Sequence, residues 1–187
     1  KGQFIYSKPN FNYSDNTLST SIIAETLDKL ELNGYKNSNI GFSLGTQFQQ
    51  YENFFLSPEI AISSEKLETT HTASTQLKKQ EGSYQDIYFN YGASYDLRDR
   101  SYQPTSGHTI KFNQSIPLYS ENYELTNTFE TNKYHPLNQT SDIIAKISFY
   151  AQSVNAIGGG NSRISKRLFI PANKLRGFEP GKVGPKD

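Results

Sequence analysis

Apolar and polar residues alternate with a period of two along most of the chain. Between Asn39 and Gln49, Ile40, Phe42, Leu44 and Phe48 fall on one side, with Gly41, Ser43, Gly45 and Gln47 on the other. Successive side chains of a strand point to opposite faces, so this stretch predicts a strand with one apolar face and one small or polar face. Asp86 to Leu97 repeats the pattern: Ile87, Phe89, Tyr91, Ala93, Tyr95 and Leu97 oppose Asn90, Gly92, Ser94 and Asp96. Ile143 to Ala151 and Ile110 to Leu118 do the same, and weaker strands are predicted over Gln3–Asn10, Leu18–Leu27, Phe54–Glu65 and Tyr123–Lys133. The total is about eight strands of about ten residues, near the length of a tilted membrane strand. Pro58 lies inside one of them and lacks a ladder donor, so a bulge or local break is expected there. Soluble β-sandwiches alternate in the same way, so periodicity alone leaves both architectures open.

The connections are uneven. Tyr13–Asn16 and Gln50–Asn53 are short, whereas Glu68–Ser83 is long and polar. Outer-membrane barrels have short periplasmic turns and longer extracellular loops. In a barrel, Glu68–Ser83 and everything after Ile157 would therefore face outward, and Arg98–Gly107 would be a periplasmic turn. Glycines on the polar face suit the crowded inner wall of a small barrel.

Composition narrows the picture. Thirteen Tyr and twelve Phe without Trp, Met or Cys suit strands and the interfacial aromatics of membrane barrels. No stretch approaches the ~18 consecutive apolar residues of a membrane helix, a test that a barrel escapes because only alternate residues face lipid. The net charge of +1 argues against a nucleic-acid partner. Without cysteine there are no disulfides or thiolate metal sites. His71, His108 and His135 are far apart and without metal-ligand spacing, and no cofactor is implied.

Other apparent motifs have structural readings. Gly41-Phe42-Ser43-Leu44-Gly45 has the spacing of a hydrolase nucleophile elbow, but uninterrupted strand alternation leaves no place for the required strand-to-helix turn. Gly158-Gly159-Gly160 lacks the context of a nucleotide loop and reads as a strand exit. Glu25, Glu59 and Asp96 belong to the polar face, either as solvated charges or as partners for loop cations. Arg163, Lys166, Arg167 and Lys174 read as a solvated loop face rather than a lipopolysaccharide site.

Two separated motifs favour the membrane barrel. The first runs from Tyr95 through Asp99, Arg100, Pro104 and Thr105 to Gly107, in the form D-R-x-x-x-P-T-x-G. Pro presets a turn angle and Gly accepts a positive one. The second is the tip Leu175-Arg176-Gly177-Phe178, followed by Gly184-Pro185-Lys186-Asp187. Together, in this order and spacing, they resemble the BamA-type family of outer-membrane assembly barrels. Many members carry a Gly-Gly pair just before the tip; here the segment reads Phe169 to Lys174 without one.

The resemblance implies an all-β fold: a partial transmembrane antiparallel barrel, an open curved sheet of about eight strands that ends in a lumen-inserted extracellular loop. Residues 1–157 would be part of the barrel, roughly family strands four to eleven, and 158–187 the loop with its tip. The POTRA repeats and remaining strands would lie outside this chain, making it a piece of a larger protein. The implied function is non-enzymatic: folding and insertion of other outer-membrane proteins in the cell outer membrane. Its implied partners are unfolded outer-membrane protein clients, accessory assembly lipoproteins acting through the POTRA repeats, and outer-membrane lipid. A related translocation or secretion barrel, and a passive diffusion porin, are the alternatives. The resemblance also makes Arg176 the anchor of the loop inside the lumen, with Gly177 turning the backbone and Phe178 packing on the wall. The carboxylate partners of Arg176 would then lie on later strands.

Overall fold

The computed structural model describes residues 2–71, 73–138, 140, 143–157, 163, 166, 168 and 177. Eight strands follow one another: β1 (Gly2–Lys8), β2 (Thr17–Lys29), β3 (Tyr35–Tyr51), β4 (Phe54–Thr69), β5 (Gly82–Asp96), β6 (Gly107–Tyr119), β7 (Glu124–Pro136) and β8 (Ile144–Ala156). They form one curved antiparallel sheet in the order β1 to β8, each strand paired with its sequence neighbours. Among the described residues β1 and β8 do not pair, so the sheet stays open. No helix of the described residues is long and apolar enough to cross a membrane.

Each strand predicted from alternation is present, and several run further than the pattern. Tyr35 to Ser38 shows no clean alternation, yet it pairs with Lys66 to Thr69. Ladder hydrogen bonds need only a backbone partner, so they extend a strand past its patterned part. Of the bulge or local break expected at Pro58, the structure shows the break: the β3–β4 ladder skips Thr46 and Gln47, opposite Pro58 and Ser57, without a bulge. The β3–β4 register is the same at Gly45↔Glu59 and at Phe48↔Leu56, on either side of it. Pro58 is paired with Tyr91 of β5, and the one register shift of the β3–β4 ladder lies between Gln49 and Tyr51. A missing N–H removes a bond without requiring an extra residue.

Register sorts the side chains into two faces. One row reads Ile22, Phe42, Ile62, Ile87 and Tyr119; the row beside it reads Ser21, Ser43, Ala61 and Tyr88. The first face is the outer one. Ile40 (65% exposed), Phe42, Leu44, Ile147 (71%) and Phe149 lie bare on it, while Phe89 and Tyr91 share it half-covered. It is not uniformly apolar, since Gln114 donates to Asn127 there at 2.8 Å.

The inner face is polar and bonded to itself. Ser21 and Ser43 hydroxyls lie 2.8 Å apart, which places Ser43 in a strand-to-strand bond and not in a nucleophile elbow. Asn90 donates to Glu59 at 2.8 Å and accepts from Ser115 at 2.6 Å, linking β4, β5 and β6. Ser148 donates to Asn132 at 2.7 Å across β7 and β8. Backbones and side chains are close here: a Cβ on Gly45 would come within 2.9 Å of Glu59 Cβ and 3.0 Å of the Pro58 carbonyl oxygen.

Among the described residues the buried apolar core is small: Tyr35, Leu67, Leu77 and Tyr84. Leu77 comes from the long connection between β4 and β5. A helical turn, Thr75–Lys78, starts where the Ser74 hydroxyl accepts from the Leu77 N–H at 3.3 Å. It sets Leu77 against Tyr35, Leu67 and Tyr84, so the polar connection folds over this end of the sheet.

Candidate functional site

The end of the sheet from which β8 exits holds a buried ionic cluster. Three acids stand on the inner face: Glu65 near the end of β4, Asp86 near the start of β5 and Glu124 at the start of β7. All three are buried, and so is Arg163, which lies seven residues beyond the end of β8 and is 1% exposed. Arg163 Nη2 donates to Asp86 Oδ2 at 2.6 Å, and its backbone N–H donates to Glu124 Oε1 at 2.9 Å. Its Nη1 lies 3.6 Å from Glu65 Oε2. The guanidinium also sits 4.6 Å from the centre of the Tyr84 ring, a cation–π arrangement. Lys166 adds a second, half-exposed cation, 3.8 Å from Asp86 Oδ2 and 5.0 Å from the Tyr88 ring centre.

Asp86 is the hub. Its Oδ2 receives the guanidinium and its Oδ1 accepts from the Ser120 hydroxyl at 2.6 Å. Ser120 in turn accepts from the Asn122 N–H at 3.3 Å, tying in the β6–β7 turn. Burial works against the charge on Arg163, but the Asp86 hydrogen bond and the charges of Asp86 and Glu65 hold its pKa above the ordinary value. The sequence-based expectation that Arg163 and Lys166 belong to a solvated loop face is therefore wrong. Three inward carboxylates from separate strands meet at one place and draw both cations onto the wall. Arg167 and Lys174 lie outside the described residues.

The opposite end carries the Asp99–Gly107 turn. Asp99 accepts from the Thr105 N–H at 2.9 Å, the Thr105 hydroxyl at 2.7 Å and the Ser106 N–H at 3.1 Å. The Thr105 and Ser106 bonds lower its pKa to about 2, with a small contribution from Arg100, whose Nε is 3.5 Å away. Gly107 adopts φ +94, and a Cβ there would fall 2.1 Å from the Leu97 carbonyl oxygen, so no other residue fits. Pro104 sits between Gln103, itself at φ 48, and Thr105. Nearby, Asp96 binds Arg98 Nη2 at 2.6 Å and Nε at 2.9 Å. Asp96 and Glu59 thus serve the strand end and the wall; neither meets Arg163 or Lys166 in the bonds described above.

What this arrangement resembles is specific. The Omp85 superfamily domain matches residues 1–187. The chain belongs to the Omp85 superfamily. Its fold is that of the BamA barrel: a crystal structure of BamA from Haemophilus ducreyi, lacking POTRA domains 1–3, superposes with a TM-score of 0.83 at 21% identity. The match covers 98% of this chain and 38% of that one, so the chain spans well under half the length of its structural relative. Superfamily and fold together make the sheet an outer-membrane β-barrel wall, with the bare apolar face toward lipid and the polar face toward the lumen.

Within that superfamily frame the tip motif falls outside the described residues except for Gly177, which has φ +85. Leu175, Arg176 and Phe178 are not described. Sequence reasoning missed Glu65, Asp86, Glu124 and Arg163 as a set. The signal was present in fragments: acids flanking the long connection on the polar face, and basic residues after the last strand. Only the register Glu65↔Tyr84 brings Glu65 and Asp86 to neighbouring positions.

Proposed function

We propose that this chain is part of an outer-membrane assembly factor that folds and inserts other outer-membrane β-barrel proteins. Residues 1–157 are its barrel wall, corresponding to family strands four to eleven, and 158–187 its inward-turning extracellular loop with Leu175, Arg176, Gly177 and Phe178 at the tip. The observation that carries this reading is the Omp85 superfamily match over residues 1–187 together with the BamA barrel fold. The buried Arg163 adds a loop cation held on the inner wall. The Asp99–Gly107 turn is then periplasmic. The partners are unfolded barrel clients, outer-membrane lipid, and accessory lipoproteins acting through POTRA repeats of the parent protein.

A guanidinium at the tip can bind carboxylates bidentately, and a lumen poor in water strengthens such bonds. Arg176→Ala in the full-length parent should lower the insertion of client barrels into vesicles or cells depleted of the native protein. Arg176→Lys should restore part of it, because an ammonium keeps the charge but lacks the planar fork. Full client insertion by Arg176→Ala would count against the anchor role. A translocation or secretion barrel of the same superfamily is the second reading, favoured if depletion blocks export of one passenger while other barrels still assemble.

A further inference from the structure

We infer that Arg163 is a positioning residue: it pins the root of the segment after β8 to the barrel wall and so sets where the tip can reach. The role of the tip rests on the assembly reading above; the pin itself does not. Arg163 engages β4 through Glu65, β5 through Asp86 and Tyr84, and β7 through Glu124. Among the described residues β8 pairs only with β7, so the contacts to β4 and β5 place Arg163 sideways across the lumen wall.

The geometry of the reach follows from chain length. From Ala156 to Arg176 an unpinned, extended segment could span about 68 Å, whereas from Arg163 the limit is about 44 Å. A shorter tether raises the effective concentration of its free end near nearby partners. The backbone N–H of Arg163 is bonded as well as its side chain, so the main-chain direction is set along with the position.

The chemistry of the cluster makes arginine the requirement. Burying ion pairs costs desolvation, so the cluster is not evidence of net stability. What it supplies is selectivity, since one placement of the root brings Arg163 to acids on three strands. The charges are unequal, with Glu65, Asp86 and Glu124 facing Arg163 and Lys166. Losing Glu65 leaves both cations paired with Asp86, and losing Asp86 leaves Arg163 beside Glu65 and Glu124, but losing Arg163 leaves carboxylates facing one another in a place shielded from water. Arg163 substitutions should therefore do more damage than substitutions of Asp86 or Glu65.

The test uses the full-length parent refolded into phosphatidylcholine vesicles and exposed to trypsin, following cleavage after Lys166. Arg163→Ala should speed that cleavage at least about tenfold, since breaking a buried ion pair strands its partners. Arg163→Lys should fall between it and the native protein, and Asp86→Asn and Glu65→Gln should have smaller effects in that order. Heat-modifiable gel mobility should stay native throughout, which separates a freed root from a damaged barrel. Unchanged cleavage in a folded Arg163→Ala protein would overturn the inference. If Arg163→Ala does not refold, unchanged cleavage in folded Asp86→Asn and Glu65→Gln would overturn it equally. A loss of protection that merely tracks loss of barrel mobility would also overturn it. Arg176→Ala is the control for the functional reading: cleavage after Lys166 should stay slow even where client insertion falls. A parent that inserts no clients while Arg163→Ala still exposes Lys166 would retire the assembly reading and leave the pin standing.

Discussion

At one end of the sheet the β5–β6 connection is held by Asp99, whose partners Thr105 and Ser106 lie six and seven residues away. At the other end the segment after β8 is held by Arg163, whose partners Glu124 and Asp86 lie 39 and 77 residues back. The first is an exposed, local device in which one carboxylate collects short-range donors and a glycine takes an angle no other residue tolerates. The second is a buried, long-range device that exists only after the strands have aligned. The local turn can form as soon as its hairpin does, whereas the ionic pin depends on the register of the strands that carry its acids. Errors of strand pairing should therefore spare the turn and abolish the pin.

The largest expected effect breaks the pin. Arg163→Ala should destabilise the docked segment by about 3–5 kcal/mol, the usual cost of stranding a buried charge cluster. Amide hydrogen exchange of the parent should show this as lost protection around Arg163 and Glu124, with the β5–β6 turn unaffected. Equal loss of protection at both ends would mean that the two devices are coupled.

Gly107→Ala attacks the local device. The positive φ alone costs about 1–3 kcal/mol, and the clash with the Leu97 carbonyl adds to it. Urea titration of the refolded parent should show a lower midpoint, while trypsin cleavage after Lys166 stays slow. A native midpoint would mean that the turn relaxes without cost.

The smallest effect concerns Asp99. Its pKa in the folded turn is about 2, below the ordinary 3.8. A depressed carboxylate contributes stability that is fully present above its unfolded value and lost as pH falls through the folded one. The Thr105 and Ser106 amide signals should therefore hold steady down to about pH 4 and titrate with a midpoint near 2. Thr105→Ala should move that midpoint upward. A native midpoint at or above 3.8 would show that the carboxylate is not held by these donors.

Much of this was legible beforehand. Alternation located all eight strands and assigned Ile40, Phe42, Leu44, Ile147 and Phe149 to one face, because a two-residue period is a direct consequence of strand geometry. At Pro58 the expected alternatives were a bulge or a local break, and the break occurred; the pattern cannot say whether a missing donor displaces the ladder or is simply left out of it. The Asp99 turn could be read as a turn but not as a carboxylate with three donors.

By itself the sequence determined the strands, their two faces and the glycine-dependent turn at Gly107, because each follows from residues within a few positions of one another. It also carried the superfamily resemblance through two short motifs in order. Only the tertiary structure decided that Arg163 is buried. A basic residue in a polar loop is ordinarily solvated, and nothing near it in the chain indicates otherwise. Its acids come from three strands, and their meeting depends on the inter-strand register, where a slip of one residue would turn Glu65 or Asp86 to the lipid side.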